Sequence, residues 1–177
     1  MMVIIMSLFS TKDTKITTGN LAELSVIAAV LFAGKELMNF IPNVHPVLLI
    51  IIAVSRVYGW GALYPVSVFV LLEMIFHGFG MWTISYLYIW PLAVCFVMIF
   101  RKNESRIFWT LFAGAFGLLF GALCTIPYLF VGGWQAAVSY WISGIPFDLI
   151  HGISNALLVF LLLGILYKTL LRLHNGK

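Results

Sequence analysis

The sequence predicts an all-α protein, an integral membrane bundle of six transmembrane helices with both termini cytoplasmic, and three observations predict it. Hydrophobic residues make up 63% of the chain and charged residues 9%, with a mean hydropathy of +1.08, against roughly 45–50% apolar and 25% charged in soluble domains. The apolar residues gather into runs separated by short turns, and 177 residues hold about six spans of roughly 20 to 25 residues each. Finally, nine of the ten basic residues (Lys12, Lys15, Arg56, Arg101, Lys102, Arg106, Lys168, Arg172 and Lys177) fall at one alternating set of span ends, while Lys35 lies within a span. Such an excess of Lys and Arg marks the cytoplasmic side.

Taken in order, residues 1–20 form a cytoplasmic N-terminal segment, 21–171 a six-helix substrate-binding membrane domain, and 172–177 a basic tail. Met1 to Ser10 lacks a basic leader and a small-residue cleavage site, so it is not read as a cleaved signal peptide. The first span covers about Leu21 to Phe40, with Thr18 or Asn20 as its cap. On it Ser25, Ala29 and Ala33 recur every fourth residue, a ridge of small residues along which another helix can approach closely. Lys35, Glu36 and Asn39 form a polar cluster in its last turn. A Pro- and Asn-containing turn, Ile41 to Pro46, holds His45.

The second run, Val47 to Val57, is short and crosses only if tilted, extended or partly re-entrant. The third, about Ala62 to Phe79, carries Glu73 and His77 at i, i+4 on one face. The fourth, about Ile84 to Phe100, has Tyr86 and Trp90 on one face, Tyr88 on another, and Pro91 as a kink. After the charged loop Arg101–Arg106, the fifth span, about Ile107 to Val131, holds Gly114, Gly117 and Gly121 for close helix approach. Val131 to Ile145 reads as a Gly- and aromatic-rich loop containing Trp134, Tyr140 and Trp141. The sixth span runs from about Pro146 to Leu171, with Pro146 in its first turn.

That last span opens with Gly144-Ile-Pro-Phe-Asp-Leu-Ile-His-Gly-Ile-Ser-Asn155. Asp148, His151 and Asn155 share one helical stripe, and ionisable groups at membrane depth ordinarily face a protein interior or a wet cavity. The ordinary alternative for Asp148 is a helix cap. With the assigned orientation, Lys35, Glu36, Asn39, His45, Glu73, His77, Trp134, Trp141, Asp148 and His151 all fall in the outward half, and the cytoplasmic half is nearly bare of buried polar groups. Acids, imidazoles and aromatic plates converging at one mouth suit a small, flat, polar molecule arriving from outside. With no polar path through the chain, a channel or self-sufficient transporter is disfavoured.

Several classes are excluded along the way. The formal charge of +4 is scattered at span ends and not massed for nucleic acid. There is no phosphate-binding Gly-rich loop, so ATP hydrolysis would fall to other chains. Cys95 and Cys124 lack metal or redox spacing and read as buried, inert thiols.

From Leu21 to Leu171 the chain resembles the substrate-binding (S) components of energy-coupling factor (ECF) vitamin transporters. The resemblance rests on six short-looped spans in under 200 residues, on Ala29 and Ala33 of the first helix, and on the run Ser143 to Asn155. It implies a non-enzymatic prokaryotic plasma-membrane protein without a cofactor, which captures a vitamin or precursor and delivers it with a transmembrane coupling protein and two ATPase subunits. It further implies that Ser25, Ala29 and Ala33 face the coupling protein, and that the substrate meets residues among Lys35, Glu36, Asn39, His45, Glu73, His77, Tyr86, Trp134, Trp141, Asp148, His151 and Asn155. The aromatic and acidic lining favours a compact heteroaromatic molecule, pyridoxine-like or pyrimidine-like, ahead of a corrinoid. The competing reading is an intramembrane metal-binding protein or metalloenzyme using His45, His77 and His151.

Overall fold

A computed structural model of the protein describes residues 18–176. The readings made for Met1 to Ser10, Lys12, Lys15 and Lys177 lie outside them. Among the described residues the fold is all-helical: α1 (Thr18–Leu37), α2 (Val47–Tyr58), a 3-10 turn (Gly59–Ala62), α3 (Leu63–His77), α4 (Met81–Ile99), α5 (Arg106–Leu118), α6 (Phe120–Cys124) and α7 (Ile126–Asn175). Three helical stretches, Val47–His77, Met81–Ile99 and Ile126–Asn175, are long and apolar enough to cross a membrane.

Side-chain contacts fix the direction of each pass. Pro46 lies against Gly34 near the end of α1, while Tyr58, at the far end of α2, donates to Glu23 near the start of α1 at 2.8 Å. The chain therefore reverses twice, and α3 climbs parallel to α1, with Ser25 facing Tyr64 at 3.2 Å and Lys35 facing Glu73. The reversal is made at Gly59, whose φ of 61° lies in the left-handed region that glycine occupies without strain. Each arm of Val47–His77 is short, roughly 18 and 23 Å at 1.5 Å per residue. Eleven of the twelve residues of α2 are buried, so it is a central, protein-wrapped helix, which explains its nearly continuous apolar sequence.

α4 descends from Trp82, beside His77, to Arg101, which donates to the carbonyls of Arg56 and Val57 and so satisfies the open end of α2. Ser105 caps α5, accepting from the Phe108 amide at 3.3 Å. α5, α6 and the first turns of α7 then form one nearly continuous pass, which ends at Gly133 (φ 70°, ψ −169°). The return pass occupies 134–175. Its buried stripe of Asp148, His151, Gly152, Asn155, Val159 and Leu163 repeats at helical spacing, and the intervening Leu149, Ile153, Leu157 and Leu161 are exposed.

Several expectations are corrected here. Residues 134–145 are helix and not loop; the reversal needs only Gly133. Pro146 accordingly sits inside the helix, on an exposed face, and not in its first turn. Asp148 is not a cap of its own helix, because it lies mid-helix. The 134–175 segment is roughly 63 Å long at 1.5 Å per residue, about twice the hydrocarbon thickness, and its first half runs back along the preceding pass, with Tyr140 stacked on Tyr128 at 4.2 Å and Asp148 reaching Gly121.

The glycines of α5 and α6 sit where the return pass comes closest. A Cβ built at Gly117 would fall 2.7 Å from the backbone of His151 and Gly152, and neither backbone can yield as a side chain would. Gly117→Ala is expected to cost about 1–3 kcal/mol of stability by overpacking. Gly144→Ala, where nothing lies within 4 Å of the new methyl, is the control. Unfolding midpoints of both variants in detergent check this, and equal midpoints would contradict the close approach.

Candidate functional site

The polar residues separate into two ends, as the alternating passes require. At the Arg56 end lie Arg56, Arg101, Arg106 and Lys168. Arg56 stacks on Tyr167 at 4.2 Å and Trp109 at 5.4 Å. The expectation that this end is nearly bare of buried polar groups is corrected, since Ser55 is buried there and Tyr58 pairs with Glu23. Its polar groups nevertheless stay near the helix ends.

At the opposite end, two clusters meet along an aromatic wall. The first is ionic. Lys35 Nζ lies 2.6 Å from Glu73 Oε2 and 3.4 Å from Glu36 Oε1, and Glu36 Oε1 lies 2.8 Å from His77 Nε2. This ladder ties the last turn of α1 to α3, with Glu73 wholly buried. The i, i+4 spacing of Glu73 and His77 and the adjacency of Lys35 and Glu36 present matching charges on facing helices.

The second cluster surrounds His151. Its ring lies edge-on to His45 at 5.0 Å and to Phe120 at 4.7 Å between centroids, and Trp90 contacts both His45 and Phe120. His45 reaches this place because the turn between α1 and α2 is pinned to α7: Asn43, with φ 60°, presents its carbonyl to Ser154 Oγ at 3.1 Å. Burial pushes the His45 imidazole down to about 4, with the Lys35 charge adding to the effect, so it is neutral at physiological pH. One step along the stripe, Asp148 Oδ1 accepts from the Gly121 amide at 2.9 Å. A side chain at position 121 would collide with that carboxylate, which is why glycine stands there.

Tyr86 and Trp90 share a face as expected, 5.4 Å apart, and Trp82, Phe69 and Phe120 extend the wall from the ionic ladder to His151. Tyr88 turns the other way and donates to the Leu123 carbonyl at 2.6 Å. A cleft of about 340 Å³ opens beside this wall, bounded by Asn43, Phe120, Tyr140, Phe147 and Asp148. Of the remaining residues singled out from sequence, Asn155 is buried below His151, whereas Asn39, Trp134 and Trp141 are exposed. Trp90, Phe120 and Tyr140 were not singled out as site residues. The i, i+4 relation of Trp90 to Tyr86 was the available signal for the first; Phe120 had none.

Seven buried side-chain atoms here have no protein hydrogen-bond partner: His45 Nδ1, Glu73 Oε1, Trp90 Nε1, Asp148 Oδ2, both ring nitrogens of His151, and Asn155 Nδ2. Nearly all buried polar atoms in folded proteins are paired with protein or ordered water, so a concentration of this kind makes the cluster the candidate place for water or a ligand. The set is chemically mixed. Trp90 and the Asn155 amide nitrogen can only donate, the carboxylates accept, and neutral imidazoles do either.

As for metals, Glu36, Glu73 and His77 bring ligand atoms within 4.8 Å of one another. The Lys35 ammonium already compensates Glu73 there. His77 belongs to this ladder, while His45 and His151 pack together elsewhere, so the three imidazoles do not gather at one point. Both cysteines are free thiols.

Compared with family models, curated proteins and solved structures, the chain matches none of them.

Proposed function

We propose that this protein is the substrate-binding S component of an ECF-type transporter in a prokaryotic plasma membrane, a six-span bundle with both termini inside. It would capture a compact heteroaromatic vitamin or precursor from outside, leaving ATP hydrolysis to partner subunits. The observation that carries this reading is the group of seven unpartnered buried polar atoms set among aromatic rings, at the end opposite Arg56, Arg101, Arg106 and Lys168. Aromatic faces hold a flat ring by stacking, and mixed donors and acceptors fix its edge. The adjoining 340 Å³ cleft lies at the small end of ligand pockets, which favours a pyridoxine-like or pyrimidine-like molecule over a corrinoid.

The coupling surface is supported separately. Ser25, Ala29 and Ala33 are exposed on α1, flanked by Val26 and Val30, which are 63% and 51% accessible. Ser25 also meets Tyr64 of α3 within the chain, but Ala29 and Ala33 stay exposed, and a helix of another subunit could approach them closely. Ala29→Trp is expected to leave ligand affinity unchanged and to abolish uptake in cells that carry the coupling module. Unchanged uptake and assembly would contradict the docking assignment. Titration of the detergent-solubilised chain alone with a panel of water-soluble vitamins tests the pocket: one member should bind saturably without any partner.

A second reading keeps one specific observation, the convergence of Glu36, Glu73 and His77. Two carboxylates and an imidazole suit a divalent metal, but Lys35 at 2.6 Å from Glu73 makes this the weaker alternative.

A further inference from the structure

At the Arg56 end, a second cleft of about 420 Å³ opens between α2, α5 and α7, and Arg56, Glu104, Arg106, Lys168 and Gly164 contribute to its lining. We infer that this cleft holds the phosphate of an anionic phospholipid. The inference rests on the membrane placement proposed above but not on the vitamin pocket.

Three cations and one carboxylate leave the cleft with two net positive charges. Among the described residues, no carboxylate lies within 4.0 Å of Arg56, Arg106 or Lys168. The guanidinium of Arg56 is held flat by Tyr167 and Trp109, and its buried Nε has no protein partner. Arg106 is positioned likewise: its Nε donates to the Phe160 carbonyl and its guanidinium covers the Phe160 ring at 4.0 Å. Both forks are thus set in place by contacts that consume none of their charge, the arrangement that suits a planar, bidentate hold on phosphate oxygens.

What favours a lipid over a free phosphate is the wall. Leu161 and Ile165, which also line the cleft, are 58% and 66% exposed. With Lys168 they occupy one side of α7, apolar residues leading up to a terminal cation. An acyl chain can lie along that face while its headgroup meets the cations, and basic pockets between helices on the cytoplasmic side are known sites for anionic headgroups. Gly164 leaves room, since a Cβ there would meet nothing within 4 Å.

The test is lipid binding to the purified full chain in neutral detergent, read by native mass spectrometry with phosphatidylglycerol or phosphatidylcholine added. Saturable retention of phosphatidylglycerol is expected, with little retention of phosphatidylcholine and no displacement by excess inorganic phosphate. Arg106→Gln and Lys168→Gln should each weaken phosphatidylglycerol binding by about fivefold, the effect of roughly one lost charge at an anionic surface. Gly164→Leu, which adds bulk to the cleft while leaving every charged residue in place, should weaken it too. Equal retention of the two lipids, or affinity unchanged in all three variants, would overturn the inference. Displacement by inorganic phosphate would overturn the lipid in favour of a free anion. Vitamin binding measured on the same preparations separates this outcome from the fate of the substrate pocket.

Discussion

Replacing Lys35 with Met is expected to destabilise the protein by about 3–5 kcal/mol, the usual cost of removing one partner from a buried ion pair. Glu73 is wholly buried, its Oε2 rests 2.6 Å from Lys35 Nζ, and Oε1 has no protein partner. Without the ammonium, a carboxylate would remain in a low-dielectric interior with nothing to compensate it. The Glu36–His77 contact at 2.8 Å involves half-buried groups and cannot substitute for it. The double variant Lys35→Met, Glu73→Leu should recover most of the loss, because a pair of well-packed apolar side chains removes the stranded charge altogether. Unfolding in detergent of the two single variants and the double variant forms a cycle that isolates the coupling. If Lys35→Met melted with the wild type, the ladder between α1 and α3 would not be a structural strut.

The second large effect concerns ligand binding. His151→Ala should weaken binding of the cognate molecule by roughly 30-fold or more, corresponding to about 2 kcal/mol for a lost buried hydrogen bond and its packing. His151 is wholly buried, both its ring nitrogens are unpartnered, and its ring touches His45 and Phe120. Asp148→Ala should act in the same direction by two routes, since it also releases the Gly121 amide. Asn39→Ala, at an exposed position, should have little effect. Titration calorimetry on folded variants checks the ranking, and an inverted order would move the pocket away from the α7 stripe.

Much of this arrangement was legible before the fold, for reasons that trace to particular residues. Helical periodicity alone placed Asp148, His151 and Asn155 on one stripe, and all three are buried on it. The i, i+4 rule aligned Glu73 with His77, and both face α1. Gly117 and Gly121 announced a close approach, though not its partner, because nothing in their spacing identifies Gly152 and Asp148 across the interface. Local density of Gly and aromatic residues suggested a loop over 131–145. The structure breaks the helix only at Gly133, since a single residue at φ 70° suffices to reverse the chain and Gly132 and Gly144 are simply helical. The packing of His45 onto His151 was invisible, as it depends on how a nine-residue turn is pinned by Asn43 and Ser154.

The most direct test of the account is mass-spectrometric identification of whatever copurifies with the intact chain, with metal content measured on the same sample. The account predicts one heteroaromatic molecule near stoichiometry, lost from His151→Ala preparations that remain folded. Stoichiometric zinc, manganese or nickel, retained through purification without any organic ligand and lost on His77→Ala, would contradict it and establish the metal site at Glu36, Glu73 and His77 instead.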